Sequence, residues 1–278
     1  MLQILVLAKE LKWGTWALVS LYISLGSGII VGIQYEYATP FFSSASIDLL
    51  VPFGRFFRSL HFYSSQFFFF LVCFHLLAVY HKSESYRNSE WLRLTATLPV
   101  ILLLLFTGYV LRGDNTGASA GAIAENIIEA IPFVGTSLNN LLFSIFQNGF
   151  RKVYLHHVIS LDLALLMLAW NHLRIYRIQL RNHGISLLAM IIFSIFIAAP
   201  LEPEQLGITY ISGPWFFLGL QELLRYFPPL FAGVILPCSF LLLLFYIHPR
   251  ARHKNASLWL IAVWLLGYAI FSLIAWSR

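Results

Sequence analysis

The sequence predicts an all-helical protein that crosses a membrane several times. Hydrophobic residues make up 59% of its 278 residues, and charged residues only 11%. Apolar runs of about 18 residues or more recur, which is the length that a bilayer core of about 30 Å requires. No long polar stretch is present from which a separate soluble domain would be built. We therefore expect a polytopic, all-α transmembrane protein.

Seven apolar segments have the length of membrane spans. They lie at about 14–34, 60–80, 92–111, 154–174, 184–200, 229–247 and 257–276. With a cytoplasmic N-terminus, eleven lysines and arginines lie on the cytoplasmic side and seven on the other side. The net charge of +6 is then mostly a topology signal, and no nucleic-acid partner is expected. We predict a multi-pass protein of a bacterial inner membrane, with its N-terminus cytoplasmic and its C-terminus outside.

Two of these segments each carry a pair of histidines. His61 and His75 are fourteen residues apart, which on an α-helix is roughly 40° short of four full turns. His157 and His172 are fifteen apart, about 60° off a common face. Because both segments run from outside to inside, we expect His61 to face His157 near the outer surface. His75 then faces His172 near the inner surface, which predicts two bis-imidazole sites stacked in one four-helix bundle.

Two low-spin haem irons suit these sites, because neutral imidazole is a good axial ligand of haem iron. The alternative is that the histidines only form hydrogen bonds between helices. A zinc or copper cluster is disfavoured, since no cysteine or further histidine shares these faces. His156 is a rival ligand, but it is sixteen residues from His172, about 160° off a common face.

Small and basic residues accompany the histidines. Gly14 and Gly28 are also fourteen residues apart and share a face of the first segment. A missing side chain at the depth of each site lets a flat macrocycle lie against the backbone, although glycine also serves helix packing in membranes. Arg58 and Lys152 precede the two outer histidines by three and five residues. They are placed to pair with haem propionates, or else to snorkel to the interface.

Together these motifs resemble the cytochrome b family of Rieske–cytochrome b complexes. The resemblance rests on R-x-x-H-(x13)-H in the second segment, H-(x14)-H in the fourth and the glycine pair in the first. Further segments that resemble the family are TGYVL at 107–111, AIPFVGT at 130–136, RNHGIS at 181–186 and WFFLGLQELLRYFPP at 215–229. The resemblance covers nearly the whole chain and is to the plastid-type version, fused into one chain.

The resemblance implies a haem b-binding four-helix bundle at 1–183 and a three-helix part at 184–278 that carries the quinol-site loop. The residues it implies are the outer haem ligands His61 and His157, the inner haem ligands His75 and His172, the propionate partners Arg58 and Lys152, and the close-packing glycines Gly14, Gly28 and Gly108. It also implies external partners, either a Rieske iron–sulfur protein or a c-type or multihaem cytochrome. The resemblance further implies that the protein forms a homodimer within a larger complex.

The quinol-site loop departs from the family pattern. The family's P-E-W-Y is Gly213-Pro214-Trp215-Phe216 here, so the glutamate that helps take a quinol proton and the tyrosine beside it are absent. Possible substitute acids are Glu202, Glu204 and Glu222 in the same loop, and Asp114 after the third segment. We therefore assign the quinol-site region to Trp215, Phe216, Glu222 and Asp114.

Other departures affect the haem sites. The family glycine that lies fourteen residues before Gly108 is Leu94 here, and the first segment has no cysteine to tether the extra haem of the plastid type. In the family an arginine lies five residues before the outer ligand. Arg151 in that role selects His156 instead of His157, so this assignment stays open. Asp162 lies five residues after His157, as Gln66 does after His61, and serves either as Gln66's hydrogen-bond partner or as a proton relay.

These observations predict a dihaem cytochrome b subunit of a quinol or quinone oxidoreductase, which carries electrons across the bilayer. A second possibility is an electron conduit without a functional outer quinol site, linking an external cytochrome to an inner quinone site. The third is a membrane anchor or transporter without haem. Against a transporter, the sequence lacks the paired glycine and proline interruptions that broken helices require.

Overall fold

The computed structural model describes residues 12–145, 149–176, 183–203 and 210–278, and the regular secondary structure within them is helical. The helices are α1 Trp13–Gln34, α2 Pro40–Leu50, α3 Gly54–Val79, α4 Asn88–Thr95, α5 Thr97–Leu111, α6 Asn115–Glu129, α7 Gly135–Leu142, α8 Phe150–Leu155, α9 Asp162–Leu173, α10 Gly184–Phe196, α11 Leu218–Leu223, α12 Leu236–Tyr246 and α13 Lys254–Trp276. A 3-10 turn, Tyr80–Ser85, extends α3, and π-helical turns occupy His156–Leu161 and Phe231–Ile235. The predicted all-α fold is confirmed.

Five helical stretches are long and apolar enough to cross a membrane, and each matches a predicted span. They are Trp13–Gln34, Gly54–Ser85, Asn88–Leu111, Phe150–Leu173 and Lys254–Trp276. The other two predicted spans are shorter apolar helices, Gly184–Phe196 and Phe231–Tyr246. At about 1.5 Å per residue, the thirteen residues of α10 extend only about 20 Å. Five of the seven predicted spans are therefore found at full length, and the other two are shorter helices within the described residues.

The early end of α10 has a local cause. After Phe196 the backbone becomes extended, and residues 197–200 run towards Pro200, which disfavours helix in the residue before it. Side chains of α3 form hydrogen bonds with the backbone groups that are no longer bonded within α10. Tyr63 donates its hydroxyl to the Ala198 carbonyl (3.0 Å), and the Ala199 amide donates to the Ser59 hydroxyl (2.9 Å). These bonds fix the extended segment against the bundle.

Four helical stretches form the bundle: α1, α3, α5 and the α8–α9 stretch with its π turn. Each contributes to one buried apolar core midway between the two predicted histidine levels, formed by Ala17, Leu18, Leu21, Phe68, Ile101 and Leu165. We call the end of the bundle that holds His61 and His157 the outer end, following the predicted orientation. Helices α6 and α7, which connect the bundle stretches there, pack their buried residues on α5 and α8.

The C-terminal helices attach to the bundle at both ends. At the inner end, Trp91 of α4 donates its indole N–H to the Phe245 carbonyl of α12 (3.1 Å), and His248 contacts the Tyr86 carbonyl (3.2 Å). At the outer end, the loop before α11 buries Phe217 in the core that includes Phe106. The loop that resembles the quinol-site segment is thereby held directly against α5.

Candidate functional site

The outer histidines face each other inside the bundle. The ring centres of His61 and His157 are 6.1 Å apart, and the ring planes are nearly perpendicular, at 88°. His61 Nδ1 lies 2.9 Å from the Ser24 carbonyl oxygen. His157 Nδ1 lies 2.9 Å from the Thr107 hydroxyl, which itself donates to backbone carbonyls of its own helix. With Nδ1–H donated in this way, the Nε2 lone pair of each ring is left for a metal.

The inner histidines form a similar pair. The ring centres of His75 and His172 are 6.0 Å apart, with an angle of 48° between the planes. Both rings border a cavity of about 370 Å³ between the bundle helices. Most of its lining is apolar, including Leu18, Phe68 and Ile101. This is the size and character of a cofactor pocket, because such pockets range from about 300 to 1,000 Å³ and are mostly apolar.

A π-helical turn explains why His157 and His172 share a face despite their spacing. Fifteen residues of regular α-helix leave the two side chains about 60° apart. The turn at His156–Leu161 takes up one extra residue, which removes about 100° of rotation. The remaining offset is roughly 40° in the other direction, which is the offset of the α3 pair. The turn therefore makes the spacing of fifteen equivalent to the spacing of fourteen on α3.

Glycines stand directly behind three of the four histidine rings. A Cβ atom at Gly14 meets His75 Cε1 at 2.7 Å, and one at Gly28 meets His61 Cε1 at 2.8 Å. A Cβ at Gly108 meets His157 Cε1 at 3.2 Å. The glycines thus make room for the imidazole rings themselves, whereas the sequence suggested that they make room for a macrocycle. For His172 the corresponding residue is Leu94, which borders the inner cavity with it.

The spacing of both pairs fits a metal held between two imidazoles. Two metal–nitrogen bonds of about 2.0 Å, with about 1.1 Å from each nitrogen to its ring centre, separate the ring centres by roughly 6.2 Å. The observed 6.1 and 6.0 Å agree with this value. Three further features support a bound metal. Glycines make room behind three of the rings, the Nδ1 atoms of the outer pair are hydrogen-bonded, and the inner cavity is apolar. The residues present therefore fit two bis-histidine haems.

His156, the rival ligand, points elsewhere. Its Nδ1 lies 3.1 Å from the Ser160 hydroxyl, and its Nε2 lies 3.3 Å from the Leu141 carbonyl oxygen. Both contacts are to residues outside the bundle core. The structure therefore places His157, and not His156, opposite His61.

The two basic residues predicted to hold propionates already have protein partners. Arg58 is buried and forms a two-pronged ion pair with Asp48 of α2, and it also donates to the Ala199 carbonyl (2.8 Å). Its Nη1 makes only a long contact of 3.4 Å to the Pro200 carbonyl, so donors remain there. Lys152 donates to the Asn140 carbonyl at the end of α7. The propionate role of both residues remains a prediction.

The loop that replaces P-E-W-Y lies against the middle of α3 and the end of α5. Trp215 stacks on Phe70, with ring centres 4.9 Å apart, and donates its indole N–H to Gln66 (2.9 Å). Gln66 is thus bonded to this loop, and Asp162 forms no ion pair with any residue that the structure describes. Phe216 packs edge-on against Tyr109 (5.6 Å). Trp215 and Phe216 of this loop therefore make aromatic contacts with α3 and α5, and Pro214 stands where the resemblance implies a glutamate.

Asp114, one of the predicted quinol-site acids, is engaged with the protein itself. It is 1% exposed, and its Oδ1 caps α6 by accepting from the Gly117 amide (2.9 Å). Its Oδ2 pairs with Arg112 and accepts from the Glu202 amide (2.9 Å). A carboxylate with this many donors is a structural anchor, so the structure gives Asp114 no free oxygen for a quinol proton.

Glu222, the second of these acids, lies on the face of α11 that packs on α13. The neighbouring Gly219 on that face is tight against Tyr268 and Ser272. Glu222 is fully buried and accepts hydrogen bonds from Arg278 (2.8 Å) and Tyr226 (3.0 Å). Burial alone raises the pKa of its carboxyl, but these two donors and the nearby arginines outweigh that effect and hold the pKa below its ordinary value. Glu222 is thus directed away from the histidine pairs.

Comparisons with known proteins agree with the predicted family resemblance. Residues 66–200 match the family model described as "Cytochrome b(N-terminal)/b6/petB", a region that includes three of the four paired histidines. The resemblance to the cytochrome b family is confirmed. A cytochrome b of Pantherophis bairdi is 25% identical over 138 residues, which are 49% of this chain and 37% of that relative. The aligned part therefore spans well under half of the length of that relative.

A solved structure extends the similarity in fold to almost the whole chain. The structure, described as "Hyperthermophilic respiratory Complex III", matches with a TM-score of 0.68 and 19% sequence identity. The match covers 95% of this chain and 82% of that chain. The similarity in fold therefore includes the C-terminal helices, and the chain is an integral membrane protein with at least five apolar helices of spanning length.

Sequence reasoning missed the groups that hold the outer rings in place. Ser24 and Thr107 lie on helices other than those of the histidines they contact, and nothing in their spacing predicts those contacts. The π turn at His156–Leu161 had one visible signal, the extra residue in the spacing of the fourth segment. Glu204 and the start of RNHGIS lie outside the described residues.

Proposed function

We propose that this cytochrome b binds two b haems and carries electrons across the membrane between them. His61 and His157 hold the outer haem, and His75 and His172 hold the inner one. The observation that carries the proposal is the matched pair spacing, 6.1 and 6.0 Å between ring centres, at two levels of one bundle. Haem supplies one-electron redox chemistry when bound, while the protein sets the orientation, burial and hydrogen bonding of its ligands.

As a subunit of a Complex III-like oxidoreductase, the chain exchanges electrons with quinol or quinone. It also works with an external redox protein, either a Rieske iron–sulfur protein or a c-type or multihaem cytochrome. The fold similarity to a Complex III structure supports this assembly. A cytoplasmic N-terminus, a homodimer and the division into a haem-binding part (1–183) and a loop-bearing part (184–278) belong to the same proposal.

Haem content tests the first part directly. A pyridine haemochrome assay on the purified chain is expected to give two b haems per chain. A redox titration of the α-band is expected to resolve two midpoint potentials. One haem per chain refutes the four-ligand assignment, and no haem favours the anchor or transporter alternative.

A second function is favoured by the altered loop. In this loop Pro214 and Phe216 stand where the family has its glutamate and tyrosine, and the intervening Trp215 is stacked on Phe70 and bonded to Gln66. If quinol does not react at this loop, the chain is an electron conduit between an external cytochrome and an inner quinone site. The two functions differ in one measurement, the reduction of the outer haem by added quinol while the inner site is inhibited. Reduction supports quinol oxidation at the outer end, and its absence supports the conduit.

A further inference from the structure

We infer that Lys12 and Lys82 hold the two carboxylate groups of the inner haem. The inference rests on the proposed binding of that haem by His75 and His172. Its evidence is the position of both lysines on the wall of the inner cavity, together with the charges and hydrogen bonds of the described residues around them.

Both lysines lie on the inner side of the histidine level. Lys12 is the N-cap residue of α1, two residues before Gly14, where a Cβ meets His75 Cε1 at 2.7 Å. Lys82 lies in the 3-10 turn that extends α3, seven residues after His75. Four α-helical and three 3-10 steps rotate Lys82 by about 760°, which leaves it within roughly 40° of the direction of His75. Both lysines therefore line the cavity that the inner histidines border.

The ammonium groups of these two lysines are not used by the described part of the protein. The structure describes two other lysines, Lys152 and Lys254, and each donates to a backbone carbonyl. Neither Lys12 nor Lys82 forms an ion pair or a side-chain hydrogen bond with any residue that the structure describes. Two ammonium groups that line one cavity favour an anion within it.

The charge on the cavity wall is unbalanced. None of the described residues that line the cavity is an aspartate or a glutamate, so the two lysines give it a formal excess of two positive charges. The N-terminus of α1 adds positive potential beside Lys12. A smaller pocket of about 100 Å³, which also borders His172, contains Glu90 together with Arg93, so its charges balance. The excess positive charge is therefore confined to the larger cavity.

This distribution of charge matches the chemistry of haem b. The macrocycle of haem b is largely apolar and carries two propionate carboxylates. Apolar side chains, including Leu18, Phe68 and Ile101, make up most of the cavity wall, and the two lysines supply one cation for each carboxylate. Charge-assisted hydrogen bonds of this kind are roughly twice as strong as neutral ones. We therefore assign one propionate to Lys12 and the other to Lys82.

The test is the double variant Lys12→Gln/Lys82→Gln in the full chain with its haems bound. Because reduction adds one electron to a haem, a nearby positive charge favours the reduced form. A redox titration is therefore expected to show a lower midpoint potential for the inner haem in the double variant, and a smaller fall in each single variant. The potential of the outer haem is expected to stay unchanged. Lys12→Arg/Lys82→Arg is expected to retain the inner potential.

A control variant separates direct contact from the general effect of charge. Arg93→Gln removes a positive charge from the smaller pocket beside His172 and leaves both lysines in place. Its effect on the inner potential is expected to be smaller than that of the double variant. Infrared difference spectra of protein carrying haem labelled with ¹³C in its carboxylates give a second readout. The labelled bands that change with reduction of the inner haem are expected to shift in the double variant and not in Arg93→Gln.

Two outcomes overturn the inference, and they are distinguishable. If the double variant changes the inner potential and the labelled bands no more than Arg93→Gln does, the lysines do not hold the carboxylates, while the proposed haem binding stands. If the unaltered protein contains no haem that His75→Ala removes, the proposed inner haem site fails, and the role of the lysines fails with it.

Discussion

Gly28→Ala is expected to remove the outer haem while leaving the inner one. The added Cβ lies 2.8 Å from His61 Cε1 and 2.9 Å from its Nδ1. Ordinary carbon contacts need about 3.5 to 4.0 Å, so the ring has to move by about 0.7 to 1.2 Å. A functional site tolerates displacements of only about 0.5 Å. The same movement disturbs the bond of His61 to the Ser24 carbonyl, because the Nδ1 atom that makes it faces the new methyl group.

The assay is the pyridine haemochrome content together with the redox titration. The unaltered protein is expected to give two haems per chain, and Gly28→Ala only one, with the potential of the inner haem retained. Gly26→Ala is the matched control, since a Cβ on the same helix at Gly26 meets no atom within 4 Å. Gly108→Ala, with its contact at 3.2 Å, is expected to shift the outer potential without loss of haem. If Gly28→Ala and Gly26→Ala retain equal haem content and equal potentials, the recess behind His61 has no role in binding.

Three further predictions concern the ligands, the π turn and the outer ion pair. His157→Ala is expected to leave one haem per chain and His156→Ala two, and the reverse result on absorption spectra contradicts the ligand assignment. Deleting Ile159 converts the π turn to α-helix and keeps His157 and His172 in phase, so both haems are expected to remain. Deleting Met167 within α9 instead turns His172 by about 100° relative to His157, and loss of one haem is expected. Since the pKa of Glu222 is held below its ordinary value of about 4.3, its ionised form stabilises the fold above that pH, and this contribution is lost as the pH falls through the folded-state pKa. Melting curves between about pH 6 and pH 3 are expected to show a smaller decline for Glu222→Gln than for the unaltered protein, and equal declines refute the assignment.

The histidine pairs show how far helical periodicity predicts a site. On α3 the spacing of fourteen predicts a shared face because the helix is regular throughout. On the fourth stretch the same rule predicts an offset of about 60°, whereas the offset is roughly 40° in the other direction. The difference arises because a single extra residue is absorbed by a local change in hydrogen bonding at His156–Leu161. An inserted residue either causes a local π turn or rotates every later residue of the helix. Which of these happens depends on contacts with other helices, such as that between His157 and Thr107, and the sequence of one helix does not reveal those contacts.

The acidic residues show where sequence reasoning stops. Asp114 and Glu222 both occur at positions that suit a quinol-site acid, and their side chains are used in other ways. Asp114 caps α6 and pairs with a residue two positions away, while Glu222 turns towards α13 because α11 packs on that helix. Arg58 likewise pairs with Asp48, on a helix that the hydropathy pattern did not predict as a separate element. In each case, tertiary packing determines which partner the charged side chain has.

The angles between the facing imidazoles affect the electronic structure of a haem iron bound between them. An iron held by two axial imidazoles has two d orbitals of π symmetry that overlap with the π orbitals of the rings. When the two rings are perpendicular, each interacts with a different one of these d orbitals, so the two orbitals stay nearly equal in energy. The outer pair, at 88°, is in this limit, whereas the inner pair, at 48°, is not. With two haems bound and the rings kept in these orientations, the two ferric sites would differ in magnetic anisotropy. Low-temperature electron paramagnetic resonance is then expected to show two separate low-spin signals, with the more anisotropic one lost in Gly28→Ala.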